Sequence, residues 1–224
     1  MRLVLPRLYV ILDAALLTIP EKECASRLVD AGVRLLQYRN KGASSRQLLE
    51  SAKRLSGELI PRGVTFIVND RSDVAALAGA SGVHVGQEDL SVEDARAVVG
   101  RNRVVGISTH NRAQFEQAAG SSADYTAVGP IFSTSGKTNP DPVVGTEFIR
   151  EVRPLTDKPI VAIGGITLER AREVLRAGAD SVAVISDILR APDPGQRALQ
   201  FIRILEEANH APGLYGHRKE VRNG

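Results

Sequence analysis

The feature of this sequence that most constrains its fold is an alternation, repeated eight times, between short apolar runs and longer amphipathic stretches. Continuous runs rich in Val, Ile and Leu, rather than strictly alternating ones, are typical of parallel strands that are buried on both faces. The runs are Leu8–Leu12, Val33–Tyr38, Val64–Val68, Val83–Val85, Val104–Ile107, Tyr125–Val128, Ile160–Ile163 and Ser181–Ile185. We therefore expect a parallel sheet.

The intervening stretches carry the start and stop signals of helices. Ser44 precedes an apolar stripe, Ser91 is followed by Asp94 three residues later, and Gly100 and Gly178 end two of the stretches. Eight strands and eight helices within about 210 residues predict an α/β fold, a compact (β/α)₈ TIM barrel. The alternative is an open doubly wound sheet, which usually has one or two glycine-rich ligand loops. Polar clusters after nearly every strand favour the barrel.

Chain length and net charge limit the possible number of domains and the possible classes of binding partner. The 224 residues, 43% of them hydrophobic, suffice for one large domain or two small ones, and no linker divides them. We expect a barrel domain over residues 1–210 and a basic, disordered tail over residues 211–224. That tail carries +2 of the net +3, so the body is nearly neutral. With 4% aromatic residues and no Trp, this predicts neither a nucleic-acid nor a membrane partner.

The cysteine content and the N-terminal sequence indicate the cellular compartment in which the protein works. The single cysteine, Cys24, excludes an intrachain disulfide and a multi-cysteine metal site. The apolar start of the chain is soon interrupted by Pro6, which does not fit a secretory signal. We expect a cytoplasmic protein, and the sequence leaves open whether it is a homo-oligomer.

Polar residues follow the strands at one end only. In a barrel these segments converge on the C-terminal face, where such folds carry their active sites. The segments are 37–41, 69–71, 86–89, 108–110, 129–137, 164–165 and 186–187.

Several of these residues are suited to phosphate. Gly164 and Gly165 follow the seventh strand, Ser186 follows the eighth, and the helix beginning near Thr167 is expected to point free N–H groups the same way. The alternative is a tight turn without a ligand. Loop cations could add charge, although single loop cations are more often solvated surface. These cations are Arg39, Lys41 and Lys137.

Two carboxylates, Asp70 and Asp89, end neighbouring strands. They could form a Mg²⁺ site completed by substrate phosphate, or they could simply cap the helices that follow. His84 is predicted to be a packed core histidine, His110 a cap or surface residue, and Cys24 buried and inert. No strong base or nucleophile is evident.

Seven ordered motifs resemble the thiamine phosphate synthase family from about Leu8 to Leu189. They are Gln37-Tyr38-Arg39-Asn40-Lys41, Val68-Asn69-Asp70-Arg71, His84-Val85-Gly86-Gln87-Glu88-Asp89, Gly106-Ile107-Ser108-Thr109-His110, residues 129–137, Ile163-Gly164-Gly165-Ile166 and Val184-Ile185-Ser186. The resemblance implies a (β/α)₈ barrel. It also implies a Mg²⁺-assisted transferase in which an aminopyrimidine methyl diphosphate loses pyrophosphate and is captured by a thiazole phosphate, giving thiamine phosphate.

The resemblance also implies residue roles. Asp70 and Asp89 match the Mg²⁺ ligands. The positions that match pyrimidine diphosphate contacts are Gln37, Tyr38, Arg39, Asn40, Lys41, Asn69, Ser108 and Lys137, and the catalytic roles fall to Arg39, Lys41, Ser108 and Lys137. The positions that match thiazole phosphate contacts are Thr134, Ser135, Gly136, Gly165, Ile185 and Ser186.

Two departures from the family pattern occur. Residues 133–137 lack one proline and one hydroxyl, and Tyr38 and Asn40 replace an aliphatic residue and Glu. The nearest alternative is the related thiazole tautomerase, which typically lacks the aspartate present here as Asp89. A catalytically silent barrel that binds thiamine precursors as a regulator is the other.

Overall fold

In a computed structural model of the chain, eight parallel strands close into a barrel in which each strand pairs with the next and the eighth pairs with the first. The structure describes residues 3–133 and 142–207. The strands are β1 (Leu8–Asp13), β2 (Leu35–Arg39), β3 (Thr65–Asn69), β4 (Gly82–Val85), β5 (Val104–Thr109), β6 (Tyr125–Val128), β7 (Ile160–Ile163) and β8 (Ser181–Val184). The predicted barrel is confirmed, and every predicted strand overlaps its observed counterpart.

The helices are α1 (Glu21–Asp30), α2 (Ser45–Leu59), α3 (Ser72–Leu77), α4 (Val92–Val99), α5 (Arg112–Gly120), α6 (Gly145–Val152), α7 (Leu168–Arg176), α8 (Ser186–Leu189) and α9 (Pro194–Glu207). The described ranges thus hold one α-helix more than predicted, because the four-residue α8 lies between β8 and the long α9, and they also hold three short 3₁₀ helices.

The predicted helix signals have the expected local causes. The Ser44 side chain accepts the N–H of Gln47, and the Gln47 side chain accepts the N–H of Ser44, which is a capping box at the start of α2. The Ser91 side chain caps α4 by accepting the N–H of Asp94. Gly178 follows α7 with a left-handed φ of 113°, which favours glycine over residues with a side chain.

Alternate residues of each strand face opposite sides of the barrel wall. One set of side chains packs outward against the helices in a large apolar cluster that includes Val10, Leu36 and Cys24. The other set points into the barrel, where a smaller cluster includes Tyr9 and Tyr125. Because the inner cluster is small, the interior of the barrel has room for polar side chains near the C-terminal face.

None of the helices within the described residues is long and apolar enough to cross a membrane. The predicted tail over residues 211–224 and the predicted contacts Thr134, Ser135, Gly136 and Lys137 lie outside the described residues.

Candidate active site

Asp70, Asp89 and Lys41 meet at the C-terminal face of the barrel. Lys41 Nζ lies 3.3 Å from Asp70 Oδ2. Burial raises the pKa of the Asp70 carboxyl above its usual value, the neighbouring negative charge of Asp89 raises it further, and Lys41 opposes both. Two carboxylates and a cation are thus close enough to interact where the loops after β2, β3 and β4 converge.

Neither aspartate caps a helix. The N-cap of α3 is Arg71, which makes no side-chain capping bond, and α4 is capped by Ser91. Asp89 Oδ2 instead accepts the N–H of Gly86 at 2.7 Å, within its own loop. Of the two interpretations that the sequence allowed, helix capping is therefore wrong for both residues.

The backbone at Asp70 is in the left-handed region, with φ of 61°, and among the described residues it is the one non-glycine residue with positive φ. The Asp70 N–H donates to the His84 carbonyl at 2.8 Å, and the Arg71 N–H donates to the Asn69 carbonyl at 2.7 Å. Positive φ is uncommon outside glycine, and such residues cluster at functional sites. These hydrogen bonds hold the carboxylate at the end of β3 in a defined turn.

Arg39 is held at the same face by a residue that sequence reasoning missed. Arg39 forms an ion pair with Asp13, whose other oxygen accepts the Ala15 N–H at 3.1 Å. Asp13 is buried at the end of β1 and is the register partner of Arg39 on β2. The signal was present in the sequence, because Asp13 follows the first apolar run as the other site residues follow theirs.

A chain of hydrogen bonds crosses the barrel between Gln37 and Ser108; we call it the polar chain. Gln37 Nε2 donates to the Tyr9 hydroxyl at 2.8 Å, and that hydroxyl lies 3.0 Å from the Tyr125 hydroxyl. His84 Nδ1 lies 2.9 Å from the Tyr125 hydroxyl, and His84 Nε2 lies 2.9 Å from Ser108 Oγ. Sequence reasoning missed both tyrosines.

The predicted core histidine is confirmed. His84 is 8% exposed, and burial lowers its pKa to about 4, so its imidazole is neutral at pH 7. Cys24 is also buried as predicted, and burial raises the pKa of its thiol to about 11. His110 is half-buried in the loop after β5, where its Nδ1 lies 2.7 Å from the Gly129 carbonyl oxygen.

Tyr38 and Asn40, the two departures in the first motif, contact each other. The Tyr38 ring packs outside the barrel wall in the helix-facing cluster, and its hydroxyl donates to Glu21. Asn40 Nδ2 donates to the same hydroxyl at 3.1 Å. The structure therefore does not bring the Tyr38 side chain together with Gln37, because adjacent strand residues face opposite sides.

The loops after β6 and β7 pack tightly against each other through glycines. Gly164 and Gly165 have φ of 102° and 62°. A Cβ at Gly165 would lie 2.5 Å from the Ser133 carbonyl oxygen, too close for any side chain. The Phe132 N–H donates to the Gly164 carbonyl at 3.0 Å. These contacts support the interpretation of Gly164 and Gly165 as a tight turn. Because Gly165 has no side chain, its backbone is not covered by one.

Ile185 and Ser186 lie at the start of α8, beside the Gly164–Gly165 turn because β7 and β8 are neighbours. The prediction that α7 offers free N–H groups is wrong for the first residue of that helix. The Leu168 N–H donates to Asp187 Oδ2 at 3.2 Å, and the same carboxylate is paired with Arg197. The side chain of Asp187 thus already satisfies this donor, which leaves the start of α8 as the better-placed helix end.

Comparisons with known proteins agree with this geometry. Residues 8–188 match the family model described as thiamine monophosphate synthase. A thiamine-phosphate synthase of Koribacter versatilis is 55% identical over 207 residues, covering 90% of this chain and 96% of that protein. One from Shouchella clausii is 40% identical over 187 residues, covering 84% and 90% of the two chains.

A solved structure is also similar. Thiamine phosphate pyrophosphorylase from Pyrococcus furiosus superposes with a TM-score of 0.83 at 34% identity, covering 91% of this chain and 96% of that one. The chain is therefore similar to these proteins in sequence and in fold over nearly the whole barrel. The chain belongs to the thiamine monophosphate synthase family.

Proposed function

We propose that the chain joins 4-amino-2-methyl-5-pyrimidinylmethyl diphosphate to 4-methyl-5-(2-phosphoethyl)thiazole, which yields thiamine phosphate and pyrophosphate. The observation that carries this proposal is the meeting of Asp70, Asp89 and Lys41 at the C-terminal face, the same face to which Asp13 holds Arg39. Two carboxylates next to cations would suit a diphosphate that binds together with a divalent cation. A thiazole isomerase has no diphosphate to hold, so this cluster favours the synthase.

The residues present fit Mg²⁺. Within the described ranges no group of three or more metal-type side chains occurs, but Mg²⁺ is usually held by one or two carboxylates together with substrate phosphates and water. Asp70 and Asp89 supply that donor set. Burial and the neighbouring charge of Asp89 raise the pKa of Asp70, and a bound divalent cation would offset both effects. We therefore assign Asp70 and Asp89 as its ligands. When bound, the ion neutralises charge on the diphosphate leaving group.

The chain's own cations act on the same leaving group. Arg39 is directed by Asp13 and Lys41 by Asp70, so both are placed before substrate arrives. Preorganised charges of this kind stabilise the transition state more than the ground state, because negative charge grows on the diphosphate as the bond breaks. By family resemblance Lys137 adds a third cation, and the Ser108 hydroxyl adds a neutral hydrogen-bond donor.

The pyrimidine is assigned to the β2 and β3 ends. Gln37 and Asn69 point from neighbouring strands toward the site and offer amide groups to the ring nitrogen and amino group. Asn40 lies in the loop after β2, where Tyr38 holds its amide. We assign Tyr38 a supporting role through Asn40 rather than a side-chain contact with substrate.

The thiazole phosphate is assigned to the opposite side of the face. Backbone at Gly165 and the start of α8 at Ile185 and Ser186 provide N–H groups, and this position is where many barrels bind phosphate. The resemblance adds Thr134, Ser135 and Gly136 from the loop after β6. The two substrates would then meet across the mouth of the barrel.

The step balances without a protein base. The bond between the methylene carbon and the diphosphate oxygen breaks, and its electron pair leaves with the diphosphate. The lone pair of the thiazole nitrogen then forms the new carbon–nitrogen bond, so no proton has to be removed. Holding the nitrogen close to the carbon supplies much of the remaining rate. The neutral state of His84 agrees with a site that moves no proton.

The test uses the purified full chain with both substrates and Mg²⁺, and it measures thiamine phosphate and pyrophosphate in equal amounts. Folded protein that makes neither product would overturn the assignment. A reaction that continues at the same rate after the metal is removed by a chelator would overturn the role of Mg²⁺ and of its two carboxylates.

A further inference from the structure

The polar chain inside the barrel contains three residues to which the proposed reaction gives no task. Tyr9 is 1% exposed, Tyr125 is fully buried and His84 is 8% exposed. Buried hydroxyl and imidazole groups are costly unless each is hydrogen-bonded. Their bonds form one continuous path, and its two ends, Gln37 and Ser108, are the residues that we assign to the pyrimidine diphosphate.

The barrel is built to bring two of these rings together. Gly106 on β5 is the register partner of His84 on β4 and of Tyr125 on β6. Because it has no side chain, the two rings stack across it with centroids 5.5 Å apart and planes at 21°. A Cβ at Gly106 would lie 2.0 Å from Tyr125 Cζ. The glycine therefore makes the space in which the polar chain runs.

Hydrogen-bond accounting gives the polar chain a direction. The Tyr9 hydroxyl accepts from Gln37 Nε2, so its own hydrogen needs an acceptor, and its other partner among the described residues is the Tyr125 oxygen. Tyr125 must then give its hydrogen to His84 Nδ1. Each hydroxyl has one hydrogen, so the Gln37 Nε2 donor at one end sets the order along the whole polar chain.

The direction continues through the imidazole. A neutral imidazole carries a hydrogen on one nitrogen only. Since Nδ1 accepts from Tyr125, the hydrogen is on Nε2 and is donated to Ser108 Oγ. The hydrogen of the half-buried Ser108 hydroxyl is then left for another acceptor.

We propose that the polar chain is a directional relay that positions its two ends, keeping the Ser108 hydroxyl hydrogen aimed at the diphosphate and the Gln37 amide in one orientation. Tyr9, Tyr125 and His84 are positioning residues in this assignment, since they touch Ser108 or Gln37 rather than substrate. The proposal rests on the proposed function, because it uses the assignment of Ser108 and Gln37 to the pyrimidine diphosphate. A hydroxyl held as a donor favours an anionic oxygen, and the benefit grows as the leaving group gains charge.

The first test reads the tautomer of His84 and needs no activity. Two-bond ¹H–¹⁵N spectra of ¹⁵N-labelled protein at pH 8 distinguish imidazoles protonated at Nε2 from those protonated at Nδ1. The chain has four histidines, so the His84 signals are assigned from their loss in His84→Gln. We expect protonation at Nε2, and a mixture of both tautomers in Tyr125→Phe. Protonation at Nδ1 in the unsubstituted chain would overturn the proposal.

The second test is a double-substitution cycle on the rate. Tyr125→Phe keeps the ring but removes the hydroxyl that selects the tautomer, so we expect kcat to fall about tenfold with little change in KM. In a Ser108→Ala background the same substitution should change kcat by less than about twofold, because there is no hydroxyl left to aim. An equal loss in both backgrounds would show a merely structural effect and refute the relay.

The matched control is Thr126→Val, at the next position of β6. Among the described residues the buried Thr126 hydroxyl finds no hydrogen-bond partner, and Val has nearly the same shape. We expect kcat and melting temperature to stay at or above those of the unsubstituted chain. If the unsubstituted chain makes no thiamine phosphate, the proposed function fails, whereas the His84 tautomer still decides the relay's direction.

Discussion

Asp70 and Asp89 hold their charges near each other, and Asp70 is partly buried whereas Asp89 is exposed. Burial and the charge of Asp89 both raise the pKa of Asp70, and among the described residues Lys41 is the cation paired with it. Two neighbouring carboxylates that cap no helix destabilise the fold by repulsion. Under the proposed assignment, Asp70 and Asp89 serve ligand binding rather than stability, and the two properties should separate on substitution.

We expect Asp89→Asn to lower kcat by about 100-fold or more, the scale seen when one preorganised charge is lost from an active site. The melting temperature should stay the same or rise, because the asparagine oxygen can still accept the Gly86 N–H and the repulsion of Asp70 is lost. Steady-state kinetics and thermal unfolding check both. Glu88→Gln, at the exposed neighbouring position, is the matched control and should change kcat by less than about twofold. A fallen melting temperature with normal turnover would instead show that Asp89 serves the fold.

His84 makes stability depend on pH in one direction. Its pKa is 6.5 when unperturbed and about 4 in the fold. Between these values the unfolded chain binds more protons than the folded one, so stability falls as pH falls through that window and is unaffected above it.

Unfolding by denaturant at pH 7 and pH 5 checks this. The unsubstituted chain should lose about 2 kcal/mol more than His84→Gln over that interval. Equal losses in the two proteins would mean that folding does not lower the pKa of His84, which would contradict this account.

The sequence predicts strand β5, but it does not predict which residues of that strand face the interior of the barrel. Val104 to Ile107 is evident as an apolar run, yet a continuous run does not reveal which residues point inward. The same limit hid the outward direction of Tyr38 on β2. Direction became visible only from strand pairing, which places Gly106 between His84 and Tyr125.

We expect Gly106→Ala to destabilise the fold by about 2 kcal/mol or more, because its methyl would overlap the Tyr125 ring and the wall of a packed barrel yields little. Denaturant unfolding measures the change. Unaltered stability would mean that Tyr125 has another position available, and the polar chain would then not be fixed.

Helix α2 offers the opposite case. Gly57 lies in its interior, is exposed, and has no atom within 4 Å of a Cβ built on it. Gly57→Ala should stabilise the fold by about 0.5–1 kcal/mol through the lower entropy of the unfolded chain and better helix propensity. A loss of stability in the same denaturant assay would contradict the helical account of this position.

At the scale of the whole molecule, the repeated alternation predicted the barrel, and the barrel predicted where the polar loops meet. The spacing of residues along the chain was enough to predict the barrel, because each strand–helix unit is formed by residues that are close in sequence. It was not enough for the pairs that complete the site. Tyr9 and Tyr125 are 116 residues apart, and Asp13 and Arg39 are joined only by the pairing of β1 with β2.

The tail prediction also belongs to this scale. Closure of the barrel uses β1 and β8, and α9 packs against α1 and α7 within the described residues. We expect a chain ending at residue 210 to keep the melting temperature and the kcat/KM of the full chain. Reduced kcat/KM at unchanged melting temperature would assign the residues beyond 210 a part in substrate binding.

The two apolar clusters described above divide the molecule into a shell and a lumen. The shell joins strands to helices and contains most of the buried apolar residues, whereas the lumen holds few of them and several polar side chains. Polar side chains of the lumen can therefore be exchanged at smaller cost to folding than residues of the shell, as long as each polar group keeps a partner and the space at Gly106 stays free. This separation predicts an evolvable catalyst, in which ligand preference drifts through lumen and loop substitutions while the shell stays the same.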